Sequence, residues 1–580
     1  MGAVGEHTSV NFIGADAAYA QNIHGEGMRV GVIDTGIDYT HKMLLGEGTA
    51  EAFKAVVPSV ANAGFPNKKV VGGIDLVGTD YDSASAIFAK HIPTPDVNPI
   101  DEAGHGTHVA GTIAGIGDGV NTYSGVAPAA ELYAIKVFGA KGSTNDEIVI
   151  AALEYAADPT GDLSFTQQLD VVNLSLGSGF GNPHLMYAHA VRNLVRGGTV
   201  VVASAGNSGD KSYIVGSPST SDEAISVASS IDNQTQNIQF PTVVFQLGAE
   251  ALKAEIVEAS ITKELSRIPE LKGEVIAVGL ADADFDATQA AQIAGKVALI
   301  DRGKVTFTEK IGRAQKAGAI AVVVANNSDE DPIGMGGEGK FDIPAVMVAK
   351  SVGDAIKAKL ATEKVTVDLK PTERVEKPWM ADTMSPFSSR GPRSEDGLIK
   401  PEISAPGSNI ISADIGGGEK GVQMSGTSMA GPHIAGVMAL LKQKFATANT
   451  AELKSVLMGH GKLIGDKDKK QYTVSRQGAG RVQVAESLET KIVTTPAALS
   501  FGITDLESSK TLTQELTIKN ISAESLTLKP EWKGSASVQI SVSEVTLAAG
   551  ESKKVLVTAK INSAAMKETT EEMDGYLSFK

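Results

Sequence analysis

Three short stretches of this sequence carry residue types that can do nucleophilic chemistry. Met424–His433 reads M-S-G-T-S-M-A-G-P-H and leads into an apolar run ending at Phe445. A serine in the first turn of a buried helix faces free backbone N–H groups and the positive end of the helix dipole. A nucleophile belongs there if negative charge must develop beside it. On this stretch alone, Thr427 or Ser428 reads equally well as a helix cap. Met28–Asp38, M-R-V-G-V-I-D-T-G-I-D, is an apolar β-branched run that ends on Asp34 before the turn Thr35-Gly36. Gly104–Gly115, G-H-G-T-H-V-A-G-T-I-A-G, places His105 at the start of a small-residue helix. A serine hydroxyl is a weak nucleophile until a base takes its proton, and the base works best when a carboxylate fixes its tautomer. Asp34, His105 and Ser428 supply the three types, in that order along the chain.

The elements that must hold them follow from periodicity. The run before Asp34 reads as a strand buried on both faces. Glu131–Phe138 is strand-like. Thr144 with Glu147 makes a capping-box pattern that opens an amphipathic helix to about Ala157. Asp170–Leu176 is a strand, His184–Arg196 a helix stopped by Gly197-Gly198, and Thr199–Ala203 another buried strand. Strands alternating with helices predict an α/β fold built on a doubly wound parallel sheet, whose active groups gather at the carboxyl ends of strands. Asn207, in S-A-G-N-S-G, falls at such an end with Asp34. Read alone, it is a turn asparagine between glycines. Beside a nucleophile, its amide becomes a donor for the oxyanion that forms when a carbonyl is attacked.

The Asp, His and Ser segments, in this order, resemble the subtilisin family of serine proteases, and the likeness extends over most of the chain. Asn207 matches that family's A-G-N-x-G pattern. The resemblance implies an acyl-enzyme peptidase in which Asp34 orients His105, His105 deprotonates Ser428, and Asn207 helps to hold the oxyanion. It also implies that Gly142, Ser143 and Thr144, together with Ser175, Leu176 and Gly177, pair with substrate backbone as added strands. Ala203, Ser204, Ala205 and Gly206, with the loop Val215–Ser221, would line the pocket for the residue before the scissile bond. His433 and His108 read as structural, and Arg390 as a brace for a loop.

A chain of 580 residues is too long for one core. The expected division is a catalytic domain in two parts, 1–237 and 376–490, an insertion at 238–375, and a C-terminal domain at 491–580. Gly295–Asn327 in the insertion resembles a protease-associated domain, and Gly334–Gly339 reads as a flexible loop. The alternating runs Thr511–Lys519 and Lys553–Lys560 predict an antiparallel sandwich resembling fibronectin type III. Such a domain usually has a further strand after Gly575–Lys580, so a truncated or cleaved end is expected there.

The net charge of −16 argues against a nucleic-acid partner, and the absence of cysteine rules out disulfides, thiolate metal sites and a cysteine nucleophile. No apolar run approaches the ~18–20 residues of a membrane span. Residues 1–20 lack the basic and apolar regions of a signal peptide. The resemblance is closest to large extracellular or cell-envelope bacterial subtilases. It implies a secreted endopeptidase acting on proteins or peptides, with a propeptide in its precursor and no cofactor for the chemistry. The alternatives are a processing protease for one partner protein and a catalytically silent scaffold. Small bacterial subtilisins often carry a calcium-binding Asp in a His-Pro-Asp-Leu run, but here the run is His41-Lys42-Met43-Leu44. Structural calcium therefore rests on Asp80, Asp82, Asp118 and Asn121 as candidate ligands, with plain turn residues as the competing reading of Asp80 and Asp82.

Overall fold

The computed structural model describes residues 8–117, 124–259, 261–263, 265, 268, 270–329, 331–335, 341–505, 508–566 and 571–580. The chain divides into two compact units. One comprises residues 1–233, 382–422 and 426–580. The other comprises residues 234–381 and 423–425.

The first unit is organised by a seven-stranded sheet. Its strands are β1 (Arg29–Asp34), β2 (Val70–Asp75), β3 (Glu131–Lys136), β4 (Val171–Leu174), β5 (Val200–Ser204), β6 (Ile225–Ser230) and β7 (Ile403–Pro406). They lie in the order β7-β6-β5-β4-β1-β3-β2, and every pairing is parallel. Four helices matter for the site: α1 (His105–Ala114), α2 (Asp146–Ala157), α3 (Met186–Arg196) and α4 (Thr427–Lys444). The apolar faces of α2 and α3, through Leu153 and Val191, pack on Ile33, Ile135 and Leu174. Helices α1 and α4 pack against each other, with α4 also on β4, β5 and β6. With helices on both faces the strands have no wet side, which is why β1 and β5 read as unbroken apolar runs.

Helix α4 is hydrophobic nearly all round. Ile434, Val437, Leu440 and Leu441 are fully buried, and each such side chain contributes about 1.5–3 kcal/mol. That burial outweighs the local damage from Pro432, which sits inside the helix without an N–H to donate. The expected cap of α2 moves by one residue. Asn145, not Thr144, accepts the Ile148 N–H at 3.1 Å. The Thr144 carbonyl instead receives the Ser83 hydroxyl, which fixes the residue in the preceding segment.

After α4 the same unit continues into antiparallel strands. Ile492–Thr495, Lys510–Asn520, Ser552–Ile561 and Val538–Ser541 form a four-stranded sheet. Leu526–Leu528 pairs with Val545–Leu547, and Pro530–Gly534 with Gly575–Phe579. Leu516, Ile518 and Val557 from the larger sheet meet Leu528, Val545 and Leu547 in one core.

The second unit holds an eight-stranded mixed sheet. Lys272–Ala277, Val297–Asp301, Ala321–Ala325 and Ala345–Val348 run parallel at its centre. The long strands Gln239–Leu247 and Val365–Glu376 pair antiparallel beside them, with Gln239 opposite Glu376. Apolar clusters cover both faces. Most of the Gly334–Gly339 loop lies outside the described residues.

Candidate active site

The site forms at the carboxyl ends of β1, β4 and β5, where the strand order turns back on itself between β1 and β4. Asp34 closes β1 and is buried. Its Oδ1 accepts the Thr35 N–H at 2.8 Å and His105 Nδ1 at 2.8 Å. His105 is the first residue of α1. That helix reaches the Asp34 turn because residue 106 is glycine: a Cβ there would lie 2.1 Å from the Gly36 carbonyl oxygen. Gly106 N–H donates to Thr35 Oγ1 at 2.8 Å, which locks turn and helix together.

The start of α1 has no side-chain cap of its own, and Gly104 takes φ 97° there. Buried Asp101 does that work from upstream. Its Oδ1 accepts the Ala103 and Gly104 N–H groups at 2.9 Å, and its Oδ2 accepts the N–H and hydroxyl of Thr107. Burial pushes the Asp101 carboxyl up, against the pull of these donors. On His105, burial pulls the imidazole pKa down. The adjacent Asp34 carboxylate, by charge and hydrogen bond, outweighs it with help from Asp101, so the net shift is upward.

Ser428 is the second residue of α4, behind an N-cap glycine with no side-chain cap. Its hydroxyl donates to the Ser175 carbonyl at 3.1 Å, not to His105. Ser175 returns the contact, donating Oγ to the Ser428 carbonyl at 2.8 Å. Pro432 explains that bond. The Ser428 carbonyl should receive the N–H four residues on, proline has none, and a hydroxyl from the end of β4 fills the gap. Asn207 follows β5. Its Oδ1 accepts both the N–H and the hydroxyl of Thr427, each at 2.9 Å. With the oxygen so engaged, the amide NH2 is the end left to act as donor. Thr427 therefore positions the amide and caps nothing.

A pocket of ≈ 340 Å³ opens beside Ser428. Ser175, Leu176 and Gly177 line it, as do Ser204, Gly206 and Asn207. Its lining has no charged side chain. Ala203 and Ala205 of the expected set are fully buried and do not line it. Side chains alternate across the end of β5, so only every second residue reaches the pocket. Gly142, Ser143 and Thr144 are likewise absent from the lining. Ser143 is tied to the preceding loop, its N–H to Asp82 Oδ1 and its carbonyl to the Ser83 N–H, both at 3.0 Å.

Asp82 thus spends its carboxylate on backbone donors, and Asp80 is exposed in a turn. Asp118 and Asn121 lie outside the described residues. Among the described residues no group of three or more His, Asp or Glu side chains converges on a metal-sized point. His108 and His433 are buried on main-chain carbonyls. Burial drives them down to about 3 and about 4. The sequence did not single out Asp101 or the parts Thr427 and Pro432 play toward Asn207 and Ser175. The D-x-x-G-H spacing before α1 was the one available signal for Asp101.

A doubly wound parallel sheet gathers at its carboxyl edge an Asp–His pair, a helix-borne serine and an oriented amide, which defines a class: α/β proteins with Asp, His and Ser at one edge of the sheet. The chain belongs to the subtilase family, Peptidase_S8, whose profile matches residues 25–480. It is 33% identical to the minor extracellular protease Vpr of Bacillus subtilis, over 97% of this chain and 64% of that protein. It is 31% identical to the PII-type proteinase of Lactococcus lactis subsp. cremoris, over 94% of this chain and 30% of that protein. With the C5a peptidase of Streptococcus pyogenes serotype M1 it shares 29% identity, over 66% of this chain and 33% of that protein. The chain thus spans less than two thirds of the length of each of these relatives.

Proposed function

We propose that the protein is a secreted serine endopeptidase that hydrolyses peptide bonds in proteins. The observation that carries this reading is the 2.8 Å bond from buried Asp34 to His105 Nδ1, which leaves Nε2 of that ring as the base. Substrate arrival turns the Ser428 hydroxyl from the Ser175 carbonyl to His105. Nε2 takes the proton as Oγ bonds to the scissile carbonyl carbon. The oxyanion accepts the Asn207 amide and the Ser428 N–H at the α4 N-terminus. When the C–N bond breaks, His105 returns its proton to the leaving amine. Water then repeats the sequence on the acyl-enzyme. The chemistry calls for no cofactor.

Substrate main chain would run between Gly142–Thr144 and Ser175–Gly177, and the small, uncharged lining favours a permissive, apolar or small preceding side chain. The Bacillus subtilis relative is named an extracellular protease, which supports an extracellular setting; a propeptide in the precursor belongs to the same reading. Among the described residues no helix is long and apolar enough to cross a membrane. The insert reads as a protease-associated domain, a noncatalytic module that restricts access or binds substrate, and the C-terminal sheets as a fibronectin type III-like module. The test is covalent labelling by an active-site phosphonate, mapped by peptide mass spectrometry. Label on Ser428, lost in Ser428→Ala, supports the reading. A folded chain that takes no label and cleaves no denatured protein refutes it in favour of the silent scaffold.

A further inference from the structure

The pocket wall does not stand on the catalytic sheet alone. One wall is the loop from Gly206 to Ser217, and it hangs from the segment Ser385–Pro392. The Arg390 carbonyl accepts two consecutive N–H groups of that loop, Ile214 at 3.0 Å and Val215 at 3.1 Å. Lower down, Ser389 donates its N–H to the Gly206 carbonyl at 2.8 Å, and its hydroxyl accepts the Ser208 N–H at 3.0 Å. A shift of Arg390 would therefore move the wall through its main chain.

The Arg390 side chain is held from the other end of the polypeptide. Nη2 meets Glu572 Oε2 at 2.7 Å, and Nε donates to Ser475 Oγ at 2.9 Å. Glu572 also accepts the Ser475 hydroxyl at 2.8 Å, closing a triangle of three groups. Two residues on, Asp574 accepts the Val474 N–H, and the Tyr576 hydroxyl donates to the Gly478 carbonyl at 3.0 Å. The Arg390 and Glu572 side chains are only 23% and 28% exposed, so their charge-assisted bonds are sheltered from water. Burial raises the Asp574 carboxyl, in keeping with a dry contact.

We propose that the C-terminal module sets the selectivity of the pocket, with Glu572 as the anchor and Arg390 as the positioning residue that transmits it to the wall. This rests on the proteolytic reading above. A wall released from its anchor should discriminate less between small and large side chains before the scissile bond, while the Asp34–His105 pair stays untouched.

The test compares the full chain with Glu572→Gln, Arg390→Lys and Arg390→Met on peptides that differ only in that residue, alanine, leucine or phenylalanine. Rates are normalised to phosphonate-titrated sites, so a partly unfolded variant still reports. For Glu572→Gln the leucine-to-alanine ratio of kcat/KM should change by about 3- to 10-fold, mostly through KM, with the pH profile unmoved. Arg390→Lys, which keeps the charge, should retain more of the parental ratio than Arg390→Met. A ratio unchanged in Glu572→Gln and Arg390→Met, or a loss of kcat equal on all three peptides, overturns the proposal and leaves the contact merely structural. A parent chain that neither cleaves nor takes the phosphonate overturns the proteolytic reading, and this proposal with it.

Discussion

Helices α1 and α4 begin at Gly104 and Gly426, neither with a side-chain cap. In the inserted unit, Ala287–Ile293 and Phe307–Lys316 each open with a complete capping box, Asp286 with Gln289 and Thr306 with Glu309. The caps of the insert satisfy N–H groups locally, which stabilises each helix by about 0.5–2 kcal/mol. At the site no capping box forms, and the first N–H groups go to other partners or, at Ser428, to none of the capping side chains. Asp101, just upstream, takes the Gly104 and Thr107 N–H groups of α1, and Thr427 turns its N–H and hydroxyl to Asn207. Helix starts in the insert are closed by their own caps, and those at the site are not; on the proposed function the difference serves chemistry.

That contrast can be broken at graded cost. The largest effect is expected at the start of α4. Ser428→Ala should lower kcat by about 10⁶, the scale known for subtilisin's own nucleophile, with the melting temperature held. Asp34→Asn should cost about 10⁴ in kcat, because His105 loses the partner that sets its tautomer. It should also lower the apparent pKa of activity, since the carboxylate is what raises His105. In the parent, activity should climb with pH through an ionisation above the ordinary histidine value of 6.5. The same upward shift favours the charged ring in the fold. Its stabilising contribution is full below pH 6.5 and lost as pH rises through the raised value. Asn207→Leu should cost about 10²–10³ in kcat with KM little changed, again the scale measured in subtilisin itself. Thr306→Ala is the smallest change: a loss of about 1 kcal/mol by urea unfolding and no change in turnover. A drop in kcat there would erase the distinction between the two kinds of helix start.

The parallel sheet was legible because double-faced burial writes itself as continuous runs such as V-G-V-I and V-V-V-A. Asp34 and Asn207 stood out because each follows such a run, and His105 and Ser428 because each opens a helix from a glycine-bearing motif. Capping boxes announce themselves by spacing, as Thr306 and Glu309 do. Thr144 with Glu147 shows the limit: the spacing fits, yet Asn145 takes the cap while the Thr144 carbonyl is held by Ser83. Ser175 and Glu572 act on partners far along the chain, and no local pattern marks such a pairing. Ala203 and Ala205 are fully buried, a difference from Ser204 and Gly206 that a list of small residues ignores.

The antiparallel pairing of Gln239 with Glu376 has a consequence for how the chain is assembled. These residues are separated by 137 positions, yet they stand side by side within one sheet. Closing a flexible loop of that length costs about 4 kcal/mol of chain entropy. If the insert folds first, β6 and β7 are joined by a short tether in place of a long one, and the catalytic sheet can zip across the gap without that penalty. Pulse-labelled hydrogen exchange during refolding should then find Ala321–Ala325 protected before Ile403–Pro406. The reverse order would mean that the sheet forms without this help.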